Sequence, residues 1–138
     1  MQKRVLIVED DADTRAVLRE FLEQSGYLPA DAADGLAGLA QAESWHPHAI
    51  LLDVRMPGLD GYEVCRRLKA NPATKPIPVI FVTAVQNDSL NRIAYEAGAM
   101  ACLVKPFRPE ALLTIIQAAI AGAERQAQRI GKRKGNAP

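Results

Sequence analysis

The sequence has little cysteine, few aromatic residues and almost no net charge. Its 138 residues include two cysteines and 5% aromatic side chains, and 17 basic against 16 acidic residues leave a net charge of +1. The two cysteines, Cys65 and Cys102, are too few for the disulfide framework of a small secreted domain, and their spacing does not suggest a zinc site. The balanced charge predicts no direct nucleic-acid binding.

Long apolar segments are also missing. The longest weakly polar stretch, residues 111–123, contains Thr114 and Gln117 and is too short to span a bilayer. The first nine residues hold an apolar run that is too short for a signal peptide. The sequence therefore predicts a cytoplasmic protein with no membrane association.

Short apolar runs alternate with longer amphipathic segments, and the runs at residues 5–8, 49–52 and 79–82 are uninterrupted by polar residues. The strand candidates are residues 5–8, 28–32, 49–52, 79–82 and 100–104, and the helix candidates are residues 13–25, 35–44, 60–70, 88–97 and 108–122. Strands that are apolar at every position are typical of a parallel sheet covered by helices on both faces. We therefore predict an α/β fold: a doubly wound (βα)5 three-layer sandwich around a five-stranded parallel sheet. In the first helix, the predicted apolar face consists of Val17, Leu18, Phe21 and Leu22.

The charge is unevenly distributed along the chain. Residues 1–122 carry 12 basic and 15 acidic residues, a net −3, whereas residues 123–138 carry 5 and 1, a net +4. This change predicts a folded domain over residues 1–122. Residues 123–138 are expected to be a basic helical extension or a flexible tail or linker.

Several predicted strands end in chemically active residues. The first is followed by Glu9 and Asp10, the third by Asp53, and the fifth by Lys105, while the fourth runs into Thr83. Because the carboxyl ends of parallel strands meet at one edge of the sheet, we expect these side chains to converge there. Asp11 and Asp13, which come next after the first strand, are instead expected to be helix-capping or turn residues.

Three carboxylates that converge repel one another and favour binding of a cation. Oxygen-only ligands suit Mg²⁺, with Mn²⁺ as an alternative, better than zinc. A lysine and a threonine hydroxyl beside such an ion suit phosphoryl transfer, with Asp53 as the candidate nucleophile that forms an acyl phosphate.

Four segments resemble the motifs of the response-regulator receiver domain of two-component and phosphorelay signalling. They are VLIVEDD at residues 5–11, ILLDVRMPGLDG at 50–61, FVTA at 81–84 and VKPF at 104–107. The resemblance extends from residue 3 to about residue 122. It implies a flavodoxin-like sheet with strand order 2-1-3-4-5, as in chemotaxis-type single-domain receivers.

The resemblance also implies roles for individual residues. Asp53 would accept a phosphoryl group from a phosphohistidine of a sensor histidine kinase or histidine phosphotransfer protein. Thr83 and the backbone N–H of Ala84 would hold one phosphoryl oxygen, and Lys105 another. The family also has a cis peptide bond at the position of Lys105–Pro106.

The same resemblance implies a ligand set for Mg²⁺. Asp10 and Asp53 would bind the ion directly, and the backbone carbonyl of Arg55 would complete the protein ligands. Glu9 would act through a water molecule.

Two positions depart from the common pattern of the family. Many receivers have an aromatic switch residue three positions before the lysine, where this chain has Cys102, so the usual coupling of threonine to a rotating ring is not expected. Arg55 and Val85 lie two residues after Asp53 and Thr83, and neither offers an acid or amide to orient water. We therefore predict slow self-dephosphorylation.

The predicted protein is a switch rather than an enzyme with a substrate to turn over. Its output would be binding of a downstream protein or output domain. The expected binding surface is formed by the fourth helix, fifth strand and fifth helix. The chain is expected to be a monomer or a weak dimer that forms through the same surface.

Three alternatives remain open. An Mg²⁺-dependent phosphatase with an aspartyl-phosphate intermediate would usually carry an acid where this chain has Arg55. A dinucleotide- or flavin-binding protein would need a glycine-rich loop after the first strand, where acids stand instead. A degenerate receiver would bind its partner constitutively, without phosphorylation.

Overall fold

Strands and helices alternate along the described chain, joined by loops. The computed structural model describes residues 2–84 and 89–135, the last five of these by their backbone alone. The strands are β1 (Arg4–Val8), β2 (Leu28–Ala32), β3 (Ala49–Leu52), β4 (Val79–Thr83) and β5 (Ala101–Val104). The helices are α1 (Ala12–Gln24), α2 (Gly35–Trp45), α3 (Gly61–Ala70), α4 (Leu90–Glu96) and α5 (Pro109–Gly135).

The five strands form one parallel sheet in the order β2-β1-β3-β4-β5, which confirms the predicted topology. In the register, Val8 lies opposite Ala32 on one side and Leu52 on the other, and Thr83 lies opposite Val104. The residues that follow β1 and β3 therefore emerge side by side at the carboxyl edge of the sheet.

A separate apolar core covers each face of the sheet. Val5 and Ile7 of β1 pack with residues of α1 and α5, whereas Leu6 and Val8 pack with residues of α2, α3 and α4. All four of these β1 side chains are at most 1% exposed. Burial on both faces explains why β1, β3 and β4 show no alternation of polar and apolar residues.

The predicted apolar face of α1 is wrong at Val17. Leu18 and Leu22 are buried and Phe21 is half-buried, but Val17 is 66% exposed. Val17 is rotated about 100° around the helix axis from Leu18, which places it beyond the stripe that contacts the sheet. It lines a surface groove near the carboxyl edge, beside Lys105 and Phe107.

The start of α3 packs closely against the end of β3. Asp60 caps the helix by accepting a hydrogen bond from the Glu63 N–H at 2.9 Å, and the Gly61 N–H donates to the Val54 carbonyl at 2.8 Å. A Cβ atom at Gly61 would lie 2.1 Å from the carbonyl oxygen of Asp53. Only glycine fits this approach, which holds the backbone of Asp53 against the helix.

Helix α5 continues beyond the residues that pack on the sheet. Its last core residue is Ile120, and residues 124–130 are all exposed. Near the point where the helix leaves the body, the Lys3 ammonium lies 2.6 Å from the Glu124 carboxylate. Within residues 2–84 and 89–135, no helix combines the length and the apolar character needed to cross a bilayer.

We predict opposite effects for the same substitution at two glycines. Gly61→Ala should lower the free energy of unfolding by about 2 kcal/mol or more, because the Asp53 carbonyl must move. Gly122→Ala, in α5 with ordinary contacts only, should raise it by about 0.5–1 kcal/mol through helix propensity. Urea denaturation of both variants measures this, and equal effects would contradict the close approach at Gly61.

Candidate functional site

The loop after β1 brings two acids to the carboxyl edge of the sheet. The Glu9 N–H donates to the Ala32 carbonyl at 3.1 Å, and its side chain is buried, whereas Asp10 is exposed. Asp11 is the N-cap of α1 and accepts a hydrogen bond from the Thr14 N–H at 3.2 Å, as predicted. Hydrogen bonds from Thr14 lower the pKa of the Asp11 carboxyl.

Asp53 follows β3 directly and lies beside these acids. Its N–H donates to the Val8 carbonyl at 3.1 Å, and its Oδ1 accepts from the Arg55 N–H at 3.3 Å. Asp53 is 8% exposed. One carboxylate oxygen each from Glu9, Asp10 and Asp53 can be chosen so that all three lie within 4.8 Å of one another.

Lys105 supplies a positive charge to this cluster. Its Nζ lies 3.6 Å from Glu9 Oε2 and 3.8 Å from Asp53 Oδ2. The Lys105 N–H donates to the Thr83 carbonyl at 2.8 Å, and the Lys105–Pro106 peptide bond is cis, as the resemblance predicted. The ammonium group therefore lies between two carboxylates, where it could also contact a bound anion.

The remaining predicted residues occupy neighbouring positions. Thr83 is the buried last residue of β4, and Ala84 follows it at the exposed edge. Cys102 is half-buried on β5 opposite Phe81, packed against the core formed with α2, α3 and α4. Burial raises the pKa of the Cys102 thiol, which favours the unreactive protonated form. Val85, the other predicted position, lies outside the described residues.

The pKa of Glu9 is raised by its position in the cluster. Burial, a hydrogen bond shared with Asp53 and the negative charge of Asp53 together raise the pKa of Glu9 to about 7, although the Lys105 charge lowers it. The Lys105 charge therefore offsets only part of the cost of placing a second negative charge beside Asp53 in a buried position. An oxygen-only donor set of two buried acids and the exposed Asp10, with excess negative charge, fits a hard divalent cation such as Mg²⁺.

An open cleft of about 430 Å³ lies next to the acids. The exposed residues Asp10 and Arg55 both border this cleft. Its lining residues are Asp10, Val54, Arg55, Met56, Pro57 and Asp60. A phosphate-bearing group could enter the site from this side.

Arg15, which the sequence pattern did not single out, contacts the backbone of the acidic loop that follows β1. Its Nη1 donates to the carbonyls of Glu9 and Asp10 at 2.8 and 3.0 Å. The sequence did hold an indication of this role, namely an arginine in the first turn of α1. A cation there is unfavourable because it lies next to the positive end of the helix dipole. An arginine at that position of α1 therefore indicates a specific partner.

Comparisons with known proteins agree with this arrangement. The family model described as the response regulator receiver domain matches residues 5–117. The transcriptional regulatory protein ResD of Bacillus subtilis is 36% identical over 118 residues, which cover 85% of this chain and 48% of ResD. Response regulator PleD of Caulobacter vibrioides is 41% identical over 106 residues, 77% of this chain and 23% of PleD. The chain thus spans about half or less of the length of these relatives.

Solved structures show the same fold. The chemotaxis protein CheY4 of Vibrio cholerae has a TM-score of 0.81 at 31% identity, covering 86% of this chain and 99% of CheY4. The receiver domain of the sensor histidine kinase PA1611 from Pseudomonas aeruginosa has a TM-score of 0.81 at 32% identity, covering 88% of this chain and 99% of that domain. That structure holds a magnesium ion in its active-site cleft. With its sheet order, its acidic edge and these matches, the chain belongs to the response regulator receiver domain family of two-component systems.

Proposed function

We propose that the chain is a phosphorylation-driven switch in which Asp53 is the phosphoacceptor. The observation that carries the proposal is the position of the Asp53 carboxylate, which lies 3.8 Å from the Lys105 ammonium and beside two further acids. A carboxylate oxygen would attack the phosphorus of a phosphohistidine on a kinase or phosphotransfer protein. The new O–P bond would replace the N–P bond, and the histidine nitrogen would keep the electron pair.

Mg²⁺, or Mn²⁺ in its place, would be held at this site by oxygen ligands. Asp10 and Asp53 would bind it directly, the Arg55 carbonyl would complete the protein ligands, and Glu9 would act through water. The bound ion would neutralise charge on the transferred phosphoryl group. The raised pKa of Glu9 and the magnesium ion in the PA1611 receiver structure support this assignment.

Three further groups would hold the phosphoryl oxygens. The Thr83 hydroxyl and the Ala84 N–H would bind one oxygen at the end of β4, and the Lys105 ammonium would bind another. Each is a hydrogen-bond donor at the same edge of the sheet as Asp53, where donors stabilise the charge that develops during transfer.

The output would be a change in the surface formed by α4, β5 and α5. Tyr95 on α4 is 80% exposed and could contact a partner there, whereas Leu112 on α5 is fully buried. Cys102, at the position that is often aromatic, has no ring to rotate. We therefore propose that the switch acts through α4 and the segment after Thr83, in a cytoplasmic monomer or weak dimer that binds a downstream protein or output domain.

Phosphorylation should depend on Asp53 and on Mg²⁺. Wild-type chain incubated with acetyl phosphate and Mg²⁺ should gain the mass of one phosphoryl group, and Asp53→Asn should gain none. Asp60→Asn is the matched control, since asparagine keeps the helix cap at this neighbouring acid. Intact-protein mass spectrometry gives the readout. No adduct on the wild type with either acetyl phosphate or a phosphohistidine donor would point to a constitutive binding module instead.

Replacing the acid Glu9 by a neutral residue should stabilise the Mg²⁺-free protein. The pKa of Glu9 is higher in the folded than in the unfolded chain, so stability is lost as the pH rises from about 4.5 through about 7. Glu9→Gln should raise the free energy of unfolding at pH 8 by about 1 kcal/mol, and the gain should shrink at pH 5. Urea denaturation at both pH values measures the difference. Glu20→Gln, an exposed acid of α1, should show no such pH-dependent gain.

The phosphorylated protein should lose its phosphoryl group slowly. Arg55 is exposed beside Asp53 and could screen the acyl phosphate from water. We expect a half-life of minutes or longer for the wild type and a several-fold shorter one for Arg55→Ala. Decay is followed by mass after removal of the donor, with Arg66→Ala as the control on α3. A wild-type half-life of seconds would rule out slow self-dephosphorylation.

A further inference from the structure

Arg15 ties the acidic loop to helix α1. A single nitrogen, Nη1, donates to the carbonyl oxygens of two consecutive residues, Glu9 at 2.8 Å and Asp10 at 3.0 Å. Both distances are those of good hydrogen bonds. The backbone of both acidic residues is therefore held by the same arginine nitrogen.

The Glu9 backbone is fixed from two directions. Its N–H donates to the Ala32 carbonyl at the end of β2, and its carbonyl accepts from Arg15 on α1. Asp10 is exposed, and its carbonyl accepts from the same arginine. Where the two carboxylates lie thus depends on a contact from α1 as well as on the sheet.

Asp31 on β2 orients the guanidinium of Arg15. Arg15 Nε lies 3.3 Å from Asp31 Oδ2, and the other oxygen of Asp31 accepts from Arg19 Nη1 at 2.9 Å. The Arg15 side chain is 19% exposed, less than the 45% of Arg19. A planar guanidinium can bind a carboxylate with one edge and backbone carbonyls with another, which a lysine ammonium does less well.

We infer that Arg15 is a positioning residue for the divalent-cation site, holding Glu9 and Asp10 in the geometry that binds the ion. The inference rests on the proposed function, because it assigns a support to the ligands named there. Asp31 contributes indirectly, because it orients the guanidinium of Arg15. Residues that orient metal ligands in this indirect way commonly change metal affinity when they are replaced.

The charge of Arg15 alone would have the opposite effect. A cation near the site repels Mg²⁺, so removing it should strengthen binding if charge were the only contribution. Positioning predicts weaker binding in any variant that loses the carbonyl contacts. The sign of the change therefore separates the two explanations.

The test compares three variants of the full chain by calorimetric titration with MgCl₂ in the absence of any phosphodonor. Arg15→Gln removes both the positive charge and the planar guanidinium with its several donors. Arg15→Lys keeps the charge and removes the guanidinium. Arg19→Gln is the control on the same helix, since Arg19 has the same aspartate partner. We expect the Kd for Mg²⁺ to rise about tenfold in both Arg15 variants and to change less than about twofold in Arg19→Gln. Urea denaturation without Mg²⁺ checks that all three variants fold.

A second readout separates positioning from a general loss of structure. In phosphorylation by acetyl phosphate, the Mg²⁺ concentration for half-maximal rate should rise about tenfold in Arg15→Lys, while the rate at saturating Mg²⁺ stays within about twofold of wild type. A loss of the maximal rate without a change in Mg²⁺ requirement would overturn the inference.

The possible failures are distinguishable. If the wild type binds Mg²⁺ but the Arg15 variants bind it equally well or more tightly, the positioning role is wrong and the proposed function stands. If the wild type binds no Mg²⁺ at millimolar concentrations, the proposed metal site is wrong and the role of Arg15 is overturned with it.

Discussion

Repulsion among three carboxylates is the constraint on which the functional edge of this protein depends. Glu9, Asp10 and Asp53 bring oxygens within 4.8 Å of one another, and a single ammonium, that of Lys105, lies between two of them. Left to themselves, such groups would separate or take up protons. Burial and the neighbouring Asp53 raise the pKa of Glu9 to about 7, so this carboxyl takes up a proton more readily than an exposed one. The fold therefore keeps a charge arrangement that favours a cation.

The backbone is what prevents the acids from separating. Asp53 is held by the Val8 carbonyl on one side and by the close approach of Gly61 on the other. The acidic loop after β1 is held by Ala32 and Arg15. These contacts involve main-chain atoms, so the carboxylates themselves remain available for ligands. Rigid main chain with available side chains is the arrangement that a binding site for a small, highly charged group requires.

Much of the fold could be predicted because residues 5–8, 49–52 and 79–82 are apolar at every position and the strand ends carry the acids, threonine and lysine. The residues that escaped prediction depend on tertiary contacts. Val17 fits a helical stripe, yet it lies beyond the part of that stripe that contacts the sheet and is exposed. Arg15 looks like a surface charge until the carbonyls it contacts are seen. Local pattern indicates which face of an element can be buried, whereas the extent of burial and the long-range partners follow from packing.

The part of helix α5 that extends beyond the core can act as a lever. Beyond Ile120, its last core residue, 15 further residues continue to Gly135, a length of about 22 Å at about 1.5 Å per residue. No proline interrupts this stretch, and residues 124–130 are exposed. A tilt of only about 5° where the helix leaves the body would move its far end by about 2 Å, by the same arithmetic. A rearrangement of α5 too small to disturb the core would thus move the basic end of the helix by more than the length of a covalent bond.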